Sequence, residues 1–309
     1  MFKFLRKIFG TAQDRLINKY KKIVEKVNAL EVQYQALSDE ELRHKTIEFK
    51  ERLSKGETTD ELLPEAYAVV KNACRRLCGT DVHVSGYDQK WDMIPFDVQI
   101  IGAIAMHYGT IAEMQTGEGK TLTAVMPLYL NALVGESVHL VTVNDYLAKR
   151  DCQWAGVVLR WLGLSTGVIA NDTPMDQRKS VYETDVVYGT ASEFGFDYLR
   201  DNSIASRKEE QVQRGFYYAI IDEADSILID EARTPLIISG PVPDSRQMYD
   251  QLKDGAADLV RKQRDLCNRL VSEARKIIDT LLVDGEIVTN DKLKLTQFKE
   301  ACHKLWLVS

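Results

Sequence analysis

The run Glu113-Met114-Gln115-Thr116-Gly117-Glu118-Gly119-Lys120-Thr121 restricts this chain more than any other stretch. It follows a short apolar run, Tyr108 to Ala112, and opens a helix-patterned run, Leu122 to Leu133. Strand, glycine-rich turn, Lys-Thr and helix, in that order, is the setting of a phosphate-binding loop. Glycines let the backbone curl so that successive N–H groups face phosphate oxygens. The helix start adds unpaired N–H groups and the positive end of the helix dipole. Lys120 is expected to reach the β- and γ-phosphates of a nucleotide, and the Thr121 hydroxyl to ligate Mg2+. The general pattern G-x-x-x-x-G-K-[ST] places glycine at position 114, where this chain has Met114. Gly117 is therefore expected to take over part of the tight turn. The competing reading is an ordinary glycine-rich loop. The flanking pattern and a partner motif downstream argue against it.

A length of 309 residues fits one large or two ordinary domains. With 45% hydrophobic and 28% charged residues the composition is that of a soluble globular protein. The net charge of −6 advertises no nucleic-acid partner. The apolar runs fall far short of a membrane span. The five cysteines include no C-x-x-C pair, although Cys74 and Cys78 are spaced i, i+4. Neither a zinc site nor a disulfide framework is indicated, and a reducing compartment is expected. The five histidines show no metal-ligand spacing and read as structural or surface residues.

Met1 to Phe9 places Phe2, Leu5, Ile8 and Phe9 on one helical face, with Lys3, Arg6 and Lys7 interleaved. No small-residue cleavage site follows, and the apolar core is too short for a signal peptide. Two readings stand: a basic amphipathic helix that touches an anionic membrane or a partner, and a helix docked on the body of the domain. Gln13 to Leu37 has helical periodicity through Leu16, Tyr20, Ile23, Val24, Val27 and Leu30. Ser38 and Glu41 form a capping-box pattern, so a second helix is expected from there to about Leu53, with Gly56 at its end. Pro64 suits the first turn of a third, Pro64 to Cys78. The front of the chain thus reads as a helical appendage rather than a sheet. Gly79 to Pro95, with Val82, Val84, Gly86, Tyr87 and Trp91, reads as a short hairpin or loop.

Pro95-Phe96-Asp97-Val98-Gln99 lies just upstream of the glycine-rich run. A glutamine amide offers a donor and an acceptor that match the N6/N7 edge of adenine, and Phe96 can pack nearby. Alone, Gln99 reads as a surface residue at a helix start; with the phosphate loop downstream, adenine recognition is favoured. After the loop the pattern alternates. Val138 to Val143, Gly167 to Ala170, Asp185 to Tyr188 and Tyr217 to Ile221 are strand-like, and Asp145 to Leu162 and Ser192 to Leu199 are helix-like. Such repetition predicts a parallel sheet covered by helices, with ligands at the carboxyl ends of its strands. The fourth run ends in Ile220-Ile221-Asp222-Glu223-Ala224-Asp225. Asp222 at a strand tip can hold Mg2+, and Glu223 can act as general base on the attacking water. Glycine-rich loop and strand-borne Asp-Glu together indicate a nucleotide triphosphatase.

Four strings extend these motifs: M-Q-T-G-E-G-K-T from Met114, T-V-N-D-Y-L-A-K-R-D from Thr142, Y-G-T-A-S-E-F-G-F-D-Y-L-R-D from Tyr188, and D-E-A-D-S-I-L-I-D-E-A-R-T-P-L-I-I-S-G from Asp222. With Leu37-Ser38-Asp39-Glu40-Glu41-Leu42 they resemble the SecA family of bacterial preprotein translocase ATPases, over roughly residues 1 to 243. Met114 departs from the general loop pattern but matches that family. The resemblance implies a superfamily-II motor with two RecA-like domains and ATP between them. Residues 1–78 would be a helical segment of the motor domain and 79–240 the first RecA-like domain. Residues 241–309 would begin an inserted preprotein-clamp domain, mainly helical and truncated. It further implies that Gln99 binds adenine, that Gly117, Glu118, Gly119, Lys120 and Thr121 hold the phosphates, that Asp222 serves Mg2+ and that Glu223 serves the water. Preproteins, the translocon channel, anionic lipid and a second copy of the chain are the implied partners, at the cytoplasmic face of the cell membrane. The resemblance also favours membrane contact for Met1 to Phe9.

Departures from the family are Asp81 to Met93, which reads as an insertion, and Gln115, which replaces a basic residue found in some members. From Pro243 on the similarity weakens: Met248 to Leu282 is a charged helical stretch, Gly285 a stop signal, and Ile287 to Ser309 a short tail. The second RecA-like domain and its arginine finger are not in this sequence, and such a finger contributes about 10³ to 10⁵ in rate. The expectation is weak ATP binding and almost no turnover by the chain alone. Two rivals remain: a nucleic-acid helicase, since Asp222 to Asp225 spells D-E-A-D, and a non-catalytic copy of the translocase. The acidic net charge and the string from Thr142 count against the helicase.

Overall fold

The computed structural model describes residues 11–237, 249–283, 286–287, 289 and 291–308. The amphipathic stretch Met1 to Phe9 and the stop signal at Gly285 lie outside them. The chain forms two compact units, Met1–Ile238 and Ser239–Ser309. Among the described residues no helix is long and apolar enough to cross a membrane.

The first unit begins with α1 (Ala12–Tyr34), α2 (Asp39–Ser54) and α3 (Thr59–Leu77). Each opens on a reciprocal capping box, Thr11 with Asp14, Ser38 with Glu41 and Thr58 with Glu61. Two otherwise orphaned backbone donors are satisfied at each start. The Thr58 box places the start of α3 ahead of Pro64, so the expectation of a helix starting at Pro64 is corrected. Pro64 sits inside the helix because the Thr-x-x-Glu signal sets the boundary before it. The α1 stripe is seated as its periodicity indicates, with Tyr20, Val24 and Val27 buried. Leu16 is instead 41% exposed, on the wall of a cleft described below. One continuous apolar core joins these helices to the sheet.

Asp81 to Met93 contains a hairpin of β1 (Asp81–Val84) and β2 (Tyr87–Lys90). Ser85 and Gly86 both have positive φ, 52° and 88°, as a two-residue I′ turn requires. Trp91 follows, fully buried; its ring lies 5.1 Å from Trp154, and its indole N–H donates to the Cys74 and Met93 carbonyls. Then come α4 (Asp97–His107) and α5 (Lys120–Ala132). Every residue of α5 from Leu122 on is buried, as expected for a helix that is apolar on all sides. The strand expected at Tyr108 to Ala112 is not formed. Tyr108 caps α4, Gly109 takes φ 66°, Ile111 is 90% exposed, and the segment pairs with no strand among the described residues. An apolar run without a neighbouring strand has no ladder to join.

The sheet is built from β3 (Val138–Thr142), β4 (Thr166–Ile169), β5 (Val186–Thr190) and β6 (Tyr218–Ile221), in spatial order β4-β5-β3-β6 and parallel throughout. The connecting helices are α6 (Asp145–Trp154), α7 (Gly156–Trp161), α8 (Met175–Tyr182) and α9 (Ala191–Ser203). The single helix expected over Asp145 to Leu162 is thus two, broken at Ala155. This is an α/β RecA-type layout, with β5 wholly buried as parallel strands are. Arg178 of α8 is buried on α9, bonded to Glu193 at 2.6 Å and Asp197 at 2.8 Å. The second unit, by itself, packs α10 (Tyr249–Leu281) against α11 (Lys292–Trp306). Ala274 and Ala301 are fully buried, and Lys304 reaches Glu273 at 2.8 Å.

Replacing Trp91 by Ala is expected to cost about 3–5 kcal/mol, through a cavity under the hairpin. Thr58→Ala, which removes only a cap, is expected to cost about 1 kcal/mol. Urea unfolding of the two variants measures both.

Candidate nucleotide-binding site

The glycine-rich run turns between the end of α4 and the start of α5. Gly117 and Gly119 have φ 88° and 79°, conformations that glycine adopts without steric cost. Glu118 closes the turn: its backbone N–H donates to the Gln115 carbonyl at 3.2 Å, and its carboxylate accepts from the Gln115 N–H at 2.8 Å. The first bond of the α5 ladder runs from Thr123 N to Gly119 O. The N–H groups of Lys120, Thr121 and Leu122 precede that ladder and face out of the helix end, where the dipole is positive. Met114, at the position where the general pattern has glycine, packs on α4: a Cβ at Gly102 would stand 3.4 Å from its sulfur.

Opposite the loop, the carboxyl end of β6 carries Asp222 and Glu223. The Asp222 N–H donates to Val141 O of β3 at 2.8 Å, which continues the β3–β6 ladder by one step. The Glu223 N–H turns back to the Asp222 carboxylate at 3.0 Å, and the Glu223 backbone is held at φ 52°. From there its carboxylate reaches across to Lys120, Nζ to Oε1 at 3.2 Å. Loop and Asp-Glu pair, 103 residues apart in sequence, are thereby in direct contact. Burial holds the Asp222 carboxyl above the usual aspartate range, and the neighbouring Glu223 charge adds to the shift.

Gln99 is buried, at the third position of α4. Its amide oxygen accepts from the Phe96 N–H at 2.9 Å, and its amide nitrogen donates to Glu118 O at 2.8 Å. The same nitrogen lies 2.3 Å from where a Cβ on Gly119 would stand, so a side chain there would push the Gln99 amide aside as well as strain the backbone at φ 79°. One amide proton and one lone pair stay available beyond these two bonds. Phe96, expected to pack beside a base, is 72% exposed. Beside Gln99 opens a cleft of about 1160 Å³, reaching from Leu16 and Tyr20 of α1 past Ile101 to Gly117 and Gly119. The structure thus brings Gln99, Gly117 to Thr121, Asp222 and Glu223 to one place.

Two neighbours were not singled out from the sequence. Asp151, at the end of α6, is buried and paired with Arg150 at 2.7 Å. Its carboxyl is raised by burial, and the Asp222 charge contributes to the shift. Both belong to the string T-V-N-D-Y-L-A-K-R-D, but only the parallel arrangement of β3 and β6 sets the end of α6 near Asp222.

The donor set suits a polyphosphate: exposed loop N–H groups, a lysine, and a hydroxyl and carboxylate for a cation. Among the described residues no three His, Cys, Asp or Glu side chains converge on a metal. A Mg2+ here would take Thr121 and Asp222 together with phosphate oxygens, as such sites usually do.

The family model described as SecA DEAD-like domain matches residues 5–304. Protein translocase subunit SecA of Chlamydia trachomatis serovar L2 is 63% identical over 309 residues, which is all of this chain and 32% of that protein. The proteins of the same name from Chlamydia muridarum and Chlamydia caviae are 62% and 63% identical over the same length. The chain therefore spans about a third of the length of these relatives. The match across nearly every residue, on a RecA-type sheet with the loop and Asp-Glu pair in contact, places the chain in the SecA family.

Proposed function

We propose that this chain is the ATP-binding part of a preprotein translocase motor. The observation that carries the reading is the Lys120–Glu223 contact, which joins a phosphate loop to a strand-borne Asp-Glu pair. In this reading Gly117 and Gly119 offer backbone N–H groups to the phosphates, Glu118 fixes the turn between them through its bonds to Gln115 and Gln99, and Lys120 holds the β- and γ-phosphate oxygens. Thr121 and Asp222 would hold the cation. Glu223 takes the proton of the attacking water once it has left Lys120. Bound Mg2+ would neutralise charge on the phosphates. Gln99 reads adenine with its remaining proton and lone pair while it braces Glu118. Family membership and the 63% identity to proteins named translocase subunits support the rest. That comprises preprotein and channel as partners, anionic lipid at the inner membrane face, a second copy of the chain, and a clamp-type unit over 241–309.

Nucleotide titration checks the site. Lys120→Ala is expected to weaken ADP binding about 10-fold or more, the loss of a charge-assisted contact. Gln99→Ala is expected to erase the preference for ADP over GDP. Equal binding by wild type and Lys120→Ala would refute the loop assignment.

Cation binding needs the Asp222 carboxylate ionised. Since its pKa is raised, protonation on acidification begins above the ordinary aspartate range of about 3.9. The gain in ADP affinity from Mg2+ is therefore expected to shrink as pH falls, and Asp222→Asn to flatten that profile. ADP titrations with and without Mg2+ across pH measure it.

The helicase reading makes the opposite demand on partners. Sedimentation with anionic vesicles is expected to capture the chain, and single-stranded RNA to leave its nucleotide affinity unchanged. RNA-enhanced nucleotide binding without vesicle capture would favour the helicase.

A further inference from the structure

The contact between Lys120 and Glu223 has two chemical faces. Glu223 is the candidate base, yet its carboxylate sits on the ammonium that a phosphate needs. The two side chains are 35% and 47% exposed, so the pair adds little to fold stability. Its backbone cost is larger than its exposure suggests. Glu223 and Ser85 are the two non-glycine residues with positive φ among the described residues, and Ser85 sits in a hairpin turn that calls for it. Glu223 lies instead in the turn between β6 and the helical segment that starts at Ala224, where no glycine or hairpin geometry calls for a positive φ. It stands between the β6 ladder, anchored by Asp222 N to Val141 O, and the bond from Ile227 N to Glu223 O at 3.2 Å. A left-handed non-glycine residue persists where surrounding contacts fix it, and such strain gathers at sites that switch.

Resting on the nucleotide-site reading above, we propose that Glu223 is an internal competitor for phosphate. Its carboxylate occupies the anion position of Lys120, and an incoming nucleotide must displace it. Displacement then leaves the same carboxylate free to face water, so the base is withheld until phosphate has taken its place on the lysine. Mere repulsion between a nearby acid and the phosphates is the alternative. Asp225 separates the two: it is an exposed carboxylate two residues along and carries the same charge, while the Lys120 ion pair is made by Glu223.

The test is ADP titration of the whole chain in EDTA, where neither the cation nor hydrolysis contributes. Glu223→Gln is expected to bind ADP about 3- to 5-fold tighter, the upper range for an exposed pair. Asp225→Asn is expected to bind as wild type does, and Glu223→Gln is expected to bring no gain on a Lys120→Ala background. Glu223→Gly, which accepts φ 52° without strain, should reproduce the gain and serves if the glutamine variant folds poorly. Unchanged or weaker binding by both Glu223 variants would overturn the proposal, as would an equal gain from Asp225→Asn. With Lys120→Ala still defective, those outcomes would leave the nucleotide site standing. Wild-type affinity in Lys120→Ala would remove both.

Discussion

Strand β3 is paired on both sides, with β5 at Val138↔Val186 and with β6 at Val138↔Tyr218. That double register determines where the chemistry can be. It continues past β6 through Asp222 N to Val141 O, so the carboxylates emerge level with the end of β3. A slip of one residue would turn every side chain of the strand to the other face and carry Asp222 away from the loop. The buried helix α5 supplies the second fixed point. It packs on β3 and β6 and carries Lys120 at its first position. Sheet and helix share one core, so the distance between Lys120 and Glu223 is set by packing rather than by the exposed ion pair itself.

This arrangement places charge where water is scarce. Burial raises the carboxyls of both Asp222 and Asp151, and each of these acids has another acid nearby. Arg150 offsets part of that cost at Asp151. At Asp222 the offset comes from a hydrogen bond with the Glu223 N–H and from the charges of Lys120 and Arg150. A cation at the proposed site would relieve the remaining repulsion. The mutual repulsion of these carboxylates and the proposed affinity for Mg2+ with nucleotide are thus two expressions of one electrostatic arrangement.

Much of this was legible in the residues because it rests on local rules. The Ser38 capping box, the short hairpin or loop around Gly86, the four strand-like runs and the glycine-rich loop each act over a few positions. The misreadings came where tertiary context prevailed. Tyr108 to Ala112 has strand composition but no strand to pair with among the described residues. Pro64 competed with the stronger Thr58–Glu61 start signal. Asp145 to Leu162 has helical periodicity throughout, yet it forms two helices that part at Ala155. The bond by which Gln99 braces Glu118 depends on a contact 19 residues away that no pattern announces. The same holds for Asp151, whose nearness to Asp222 follows from strand order alone.

The central claim is that segments near residues 99, 117–121 and 222–223 form one nucleotide site. Hydrogen exchange of the chain with and without Mg2+ and ADP tests it most directly. All three segments are expected to gain protection together, at one nucleotide concentration. Protection confined to one segment, or appearing elsewhere while residues 117–121 exchange unchanged, would contradict it.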